Sequence, residues 1–190
     1  MKVSSNIYKN NLNNMLIIGL GNPKKEFINN RHNSGRIFVD WIYKESGLNF
    51  DKWFSNKKLM AELAKGEGGK IILAKPLVFM NESGRTVNAL KKVFKLNNHN
   101  IIVAHDESDL NIGDFKISKN KNAAGHHGIG SIFDHLKTKD ITRVRIGIRP
   151  EPRSGKRLRA GEFVLKDFSK SELEQLNQVF KEIVKSLPLK

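Results

Sequence analysis

Asn22 and His32 are the first residues whose types and spacing could do chemistry. The run Leu16-Ile17-Ile18-Gly19-Leu20 is strand-like and stops at the turn Gly21-Asn22-Pro23. That leaves a side-chain amide, both donor and acceptor, at the strand's carboxyl end. His32 follows ten positions on, just ahead of Asn33 and Ser34, two residues that suit a helix N-terminus. A histidine acting there as a general base needs an orienting partner. Asp106 offers one, because it lies just past the apolar run 101–104, where ligands bind in open α/β sheets. A carboxylate so placed accepts the imidazole N–H, fixes the tautomer and stabilises the imidazolium. Each residue also has a plainer reading: an ordinary turn, a surface histidine, and loop acids that cap and solvate.

Two further segments follow strand-like runs and precede helix-like ones. In Lys75-Pro76-Leu77-Val78-Phe79-Met80-Asn81-Glu82-Ser83-Gly84, Asn81 is either a second amide at the same rim or a helix cap, and Met80 is either its apolar wall or core. In Lys119-Asn120-Lys121-Asn122-Ala123-Ala124-Gly125-His126-His127-Gly128, small residues let the backbone approach a ligand. The helix that follows presents free N–H groups, and Lys116, Lys119 and Lys121 flank it, which together make a phosphate seat or a flexible turn. His105, Asp106 and Asp109 could hold a metal, but their spacing matches no established ligand pattern. Gly19-x-Gly21 invites a dinucleotide-binding reading, which fails because Lys24 stands where the third glycine belongs.

The elements that must position these groups alternate along the chain. Strand-like runs fall at 16–20, 59–64, 70–74, 100–104 and 142–148. Helical apolar faces lie within 34–46 (Ile37, Phe38, Trp41, Ile42) and 82–96 (Val87, Leu90, Val93, Phe94), with a short helix at 127–136. Ser169 and Glu172 form a capping box for a last helix, whose apolar face holds Leu173, Leu176, Phe180, Ile183 and Val184. The pattern predicts an α/β fold: a single domain with a twisted, mostly parallel (mixed) central sheet flanked by helices. Residues 151–159 form a Pro-, Gly- and Arg-rich loop, and Arg153, Lys156, Arg157 and Arg159 make it either a lid over a polyanion or a solvated loop.

Composition narrows the class. The 190 residues suit one core, and 38% hydrophobic with 28% charged content is that of a soluble globular chain. Lys and Arg total 34 against 19 Asp and Glu, a formal net charge of +15. Such an excess attracts phosphate polyanions, because neutralising them releases condensed counterions. The absence of cysteine excludes disulfides and thiol chemistry and points to a cytosolic compartment. No apolar stretch approaches membrane-spanning length. Residues 1–14 are polar and asparagine-rich and read as a flexible extension, with Met15 an alternative start.

Taken in order, the segments 19–23, 31–35, 75–84, 105–110, 125–128 and 143–150 resemble the bacterial-type peptidyl-tRNA hydrolase family, across 15–187. The resemblance implies an enzyme that cleaves the ester joining a peptide to the 3′ ribose of tRNA, with no metal or organic cofactor. It implies a cytoplasmic monomer acting on peptidyl-tRNA without a membrane, its hydrolase domain being residues 15–190. His32 matches the family's base and Asp106 its orienting acid. Asn22 matches the amide near the ester and ribose, and Met80 and Asn81 match residues that wall the site and bind the peptide main chain. Phe27, His126, His127, Lys116, Lys119 and Arg145 fall among the positions that bind substrate or tRNA phosphates. The chain departs from the family's pattern at Lys24 (usually glycine), Phe27 (usually tyrosine), Ser118 (often basic) and His127 (usually asparagine). His127 cannot copy an amide's paired donor and acceptor, so the runner-up is an RNA-binding relative that lost efficient catalysis.

Overall fold

A computed structural model describes residues 14–151 and 158–189. Among the described residues seven strands form one sheet: β1 Met15–Gly19, β2 Phe54–Asn56, β3 Ala61–Gly66, β4 Ile71–Pro76, β5 Ile101–Asn111, β6 Phe115–Ser118 and β7 Thr142–Arg149. Their order is β2-β3-β4-β1-β5-β7-β6. The central strands β4, β1, β5 and β7 run parallel, and β2–β3–β4 and β6–β7 pair antiparallel. Four helices, α1 Ser34–Glu45, α2 Ser83–Val93, α3 His127–Leu136 and α4 Lys170–Ser186, cover the sheet.

Side chains alternate across a strand, so each central strand feeds two cores. Ile17 of β1 packs with Phe38, Val39 and Ile42 of α1 and with Leu176, Phe180 and Ile183 of α4. Leu16 and Ile18 pack with Val87 and Leu90 of α2 and with Ile129 and Ile132 of α3. The central strands are buried on both faces, which is why they read as continuous apolar runs. Each fully buried Ile, Leu or Phe contributes about 1.5–3 kcal/mol. Phe38 and Phe180, with ring centroids 5.1 Å apart, join α1 to α4.

The expected fold class holds, with local differences. The sequence pattern does not predict strands β2 and β6, because both are half-exposed edges of only three and four residues. Strand β5 runs on to Asn111 instead of stopping at Ala104, so Asp106 lies within a strand rather than just past one. Helix α2 is shorter than its apolar face suggested, ending at Val93 before Lys95 with φ +52°. The Ser169–Glu172 capping box forms as expected. Asn14 is buried at the start of β1. The rest of the N-terminal extension, and Arg153, Lys156 and Arg157, lie outside the described residues.

One close approach sets the geometry of the site. A Cβ on Gly35 would lie 2.2 Å from the carbonyl oxygen of Ala104, and one on Gly19 would lie 2.2 Å from that of Gly35. Only glycine lets the first turn of α1 rest on the ends of β1 and β5. The N–H of Leu20 donates to Ala104 O (2.9 Å), and the N–H of Arg36 donates to Leu20 O (3.1 Å). His32 lies three positions before Gly35, and Asp106 two after Ala104.

Gly35→Ala should therefore destabilise the protein by about 2 kcal/mol or more. Gly130, where an added Cβ meets nothing within 4 Å, is the control: Gly130→Ala should stabilise by up to about 1 kcal/mol through helix propensity. Urea denaturation midpoints of the two variants test the contrast.

Candidate active site

The side chains of His32, Asp106 and His126 meet. Nδ1 of His32 lies 2.8 Å from Oδ1 of Asp106, and Nε2 of His126 lies 2.9 Å from the same oxygen. An ionised carboxylate only accepts, so each imidazole donates the N–H it turns toward Asp106. That assignment leaves Nε2 of His32 with its lone pair free, the form a general base needs. His126 has no such freedom, because its Nδ1 accepts from the N–H of Ile129 (3.3 Å) as the N-cap of α3.

Burial acts on both charged partners. For Asp106, 5% exposed, burial alone would raise the carboxyl pKa, but the charge and hydrogen bond of His126, with those of His32, hold it well below the usual carboxylate range. For His32, burial pushes the imidazole down, while the hydrogen bond and charge of Asp106 push it up further, for a net rise above 6.5.

His32 is held in place by a distant part of the chain. It sits in a 3-10 turn, Arg31–Asn33, and its N–H donates to Val164 O (3.0 Å). Arg31 N–H donates to Lys166 O (2.9 Å), and Phe168 N–H donates to Asn29 O (2.9 Å). The guanidinium of Arg31 makes two 2.8 Å bonds to Glu172 at the start of α4.

Asn22 joins the site from the β1 turn. Its N–H donates to Oδ1 of Asn33 (2.8 Å), and Nδ2 of Asn33 donates back to Asn22 O (3.0 Å). Asn33 stands at the N-cap position of α1 but makes no side-chain cap bond there, because its amide is spent on Asn22. Oδ1 of Asn22 accepts from the N–H of Met80 (3.0 Å), which leaves the Asn22 NH₂ group as a donor. Met80 is buried, and a Cβ on Gly128 would fall 2.5 Å from its sulfur, so α3 and the Met80 turn approach closely only because position 128 is glycine.

Asn81 does not cap α2. It lies in the 3-10 turn Met80–Glu82, Glu82 holds the N-cap position, and no side chain bonds there. Asn81 is exposed instead and lines a groove of about 460 Å³ with Ala123, Gly125, His126, His127 and Asp134. A larger cavity of about 770 Å³, lined by Arg31, Phe163, Phe168 and Glu172 among others, holds none of the predicted site residues.

The remaining candidates are more scattered. Phe27 is half-buried at the end of a 3-10 turn, and nearby Lys24 rests its ammonium 5.6 Å from the centre of the Phe79 ring. Lys116 and Lys119 are exposed on β6 and just after it, with Lys116 paired to Arg145 in the ladder. Arg145 has a partner that the sequence did not reveal, since buried Glu107 binds its guanidinium at 2.7 and 2.8 Å. The set His105, Asp106, Asp109 does not assemble as metal ligands. Asp109 is mostly exposed and faces Arg149 at 3.5 Å, and the His105 ring is buried and spent on other partners. Among the described residues, the group that could offer three ligand atoms within 4.8 Å of one another is His32, Asp106 and His126.

Sequence reasoning missed Asn33, Glu107 and Arg143, and the contact of His126 with Asp106. All four are tertiary pairings without a local signal. Together the groups can take a proton from water at Nε2 of His32 and present an amide donor to an electrophile bound beside it.

The protein-family model for peptidyl-tRNA hydrolase matches residues 16–190. The chain is 37% identical over 165 residues to the peptidyl-tRNA hydrolase of Mycoplasma mycoides, covering 87% of this chain and 86% of that protein. It is 39% identical over 178 residues to that of Pelagibacter ubique, covering 92% and 91%. The crystal structure of peptidyl-tRNA hydrolase from Acinetobacter baumannii superposes with a TM-score of 0.77 at 29% identity, over 92% of this chain and 86% of that one.

The raised pKa of His32 gives a signed expectation. Followed by ¹⁵N-edited NMR, His32 should titrate above 6.5, and Asp106→Asn should bring it below, since burial then acts alone. A raised folded pKa stabilises the fold below the unfolded value and stops doing so as pH rises through the folded one. The stability advantage of wild type over Asp106→Asn should therefore shrink with rising pH across that window, read from urea midpoints.

Proposed function

The chain belongs to the peptidyl-tRNA hydrolase family, and we propose that this site performs the family's ester hydrolysis with a water activated by His32 and Asp106. The observation that carries the proposal is the 2.8 Å bond from Nδ1 of His32 to Asp106, which leaves the Nε2 lone pair free. Nε2 takes a proton from water as its oxygen attacks the ester carbonyl joining peptide to ribose. Negative charge develops on the carbonyl oxygen, where the NH₂ group of Asn22, oriented by the bond that its Oδ1 accepts from Met80, supplies a fixed donor. Asp106 stabilises the imidazolium, which then gives its proton to the departing ribose oxygen. Peptide and tRNA are the products, and the chemistry draws on no cofactor.

The peptide main chain follows the groove beside Met80 and Asn81. Phe27, His126 and His127 line the approach of the acceptor end, and Lys116, Lys119 and Arg145 face the phosphates. The net charge of +15 supports a tRNA partner. Among the described residues no helix is long and apolar enough to cross a membrane. In this proposal residues 15–190 act as a cytoplasmic monomer, with 1–14 an extension. A bare RNA-binding role is not favoured, because binding phosphates does not call for a histidine base, a buried carboxylate and two amides together.

N-blocked aminoacyl-tRNA should be deacylated and free aminoacyl-tRNA spared. His32→Ala should nearly abolish turnover while tRNA binding persists, and Asp106→Asn should slow turnover by roughly 10²–10⁴-fold. Undiminished turnover in either variant refutes the mechanism. Binding of deacylated tRNA should weaken steeply between low and physiological salt, and a flat response in a filter-binding titration refutes the phosphate contacts.

A further inference from the structure

We propose that His105 and Arg143 are a buried positioning pair that locks Asp106 and the loop before α3 against each other, so that the carboxylate meets both imidazoles at once. The inference rests on His32 being the base. Neither residue lines the groove of Asn81 and His127, so neither is a catalytic residue.

Both His105 and Arg143 are 1% exposed. Nδ1 of His105 lies 2.6 Å from the main-chain oxygen of Asp106, which only accepts, so Nδ1 carries the proton. Its Nε2 lies 3.1 Å from Nε of Arg143, which only donates, so Nε2 carries the lone pair. The two neighbours thus demand one and the same neutral tautomer. Burial, with His126 and Arg143 beside it, also holds the ring well below the usual histidine pKa.

Arg143 turns its other end to the loop, where Nη1 donates to the carbonyl oxygens of Lys121 (3.2 Å) and Asn122 (2.9 Å). Among the described residues this guanidinium bonds to two carbonyls and a ring nitrogen, with Glu107 acting on it through charge rather than a hydrogen bond, and a buried cation so placed is costly. What it gains is position. His126 follows Asn122 by four residues, packs its ring edge-on against His105 (centroids 4.6 Å) and donates to Oδ1 of Asp106. One arm from Arg143 therefore holds the backbone of residue 106 through His105. The other holds its side chain through the loop and His126.

The test compares wild type with His105→Phe, His105→Asn and Arg143→Lys, all checked by thermal melting. In His105→Phe and Arg143→Lys, kcat should fall by roughly ten- to a hundredfold with KM nearly unchanged. The acid limb of kcat should move to lower pH, because a displaced Asp106 no longer raises His32. His105→Asn should recover part of the loss, since its amide can still donate to Asp106 O. A change in KM alone, or a lower melting temperature with kcat and acid limb unmoved, overturns the proposal. If the variants do not fold, ¹⁵N shifts of wild type decide: His105 should remain neutral with its proton on Nδ1 as pH falls through the ordinary histidine range, and titration there or a proton on Nε2 overturns it. Turnover by His32→Ala in the same assay would instead refute the base, leaving the His105 tautomer to be judged by its own spectrum.

Discussion

A carboxylate taken out of water must be paired, and the site is arranged around satisfying that need at Asp106. A lone buried carboxylate would neutralise itself by taking a proton. Here two imidazoles donate to a single oxygen, at 2.8 and 2.9 Å, and the group stays ionised. The same bonds decide what each imidazole can do. His32 is left with an open lone pair, and His126, bonded at both nitrogens, is left with none. One charge therefore distinguishes a histidine with an open nitrogen from one bonded at both, by what the second nitrogen faces.

Meeting that requirement draws on four parts of the chain. Strand β5 carries Asp106, and the glycine contact between α1, β1 and β5 brings the turn with His32 down to it. The segment 164–168 holds that turn from outside through backbone bonds, and Arg31 ties it to α4 through Glu172. The loop before α3 brings His126 from the other side. Several of these contacts link residues more than seventy positions apart, so His32 is only as well placed as the whole sheet and its two helical layers.

The basic character of the chain works at a different level. The charge of +15 sets a long-range field that draws in a polyanion and weakens with salt. Single cations are less uniform than the total implies. Lys116 and Lys119 are exposed, whereas Arg145 is bonded to buried Glu107 and Arg143 is buried outright. Two arginines one residue apart on either side of Val144 thus serve opposite surroundings, one beside solvent and one in the core.

Much of this was legible in the residues alone. Apolar runs and helical periodicity located the central strands and the four helices, because burial on one or both faces dictates those patterns. The apolar runs and the turns after them marked His32, Asp106, Asn22, Met80 and Asn81 as candidates, because parallel sheets collect their loops at one edge, although Asp106 proves to lie within β5. The edge strands β2 and β6 left no such trace, since three or four residues are too few to establish a period. Asn33 and Asn81 looked like helix caps, and only the folded chain turned one toward Asn22 and the other toward the groove. Nor could sequence say that His126 shares the oxygen of Asp106, that Glu107 claims Arg145, or that His105 is wedged between Asp106 and Arg143. Local sequence fixes which groups are offered at each turn; which of them pair is settled by the packing of distant segments, because a hydrogen bond depends on tenths of an ångström that no spacing along the chain encodes.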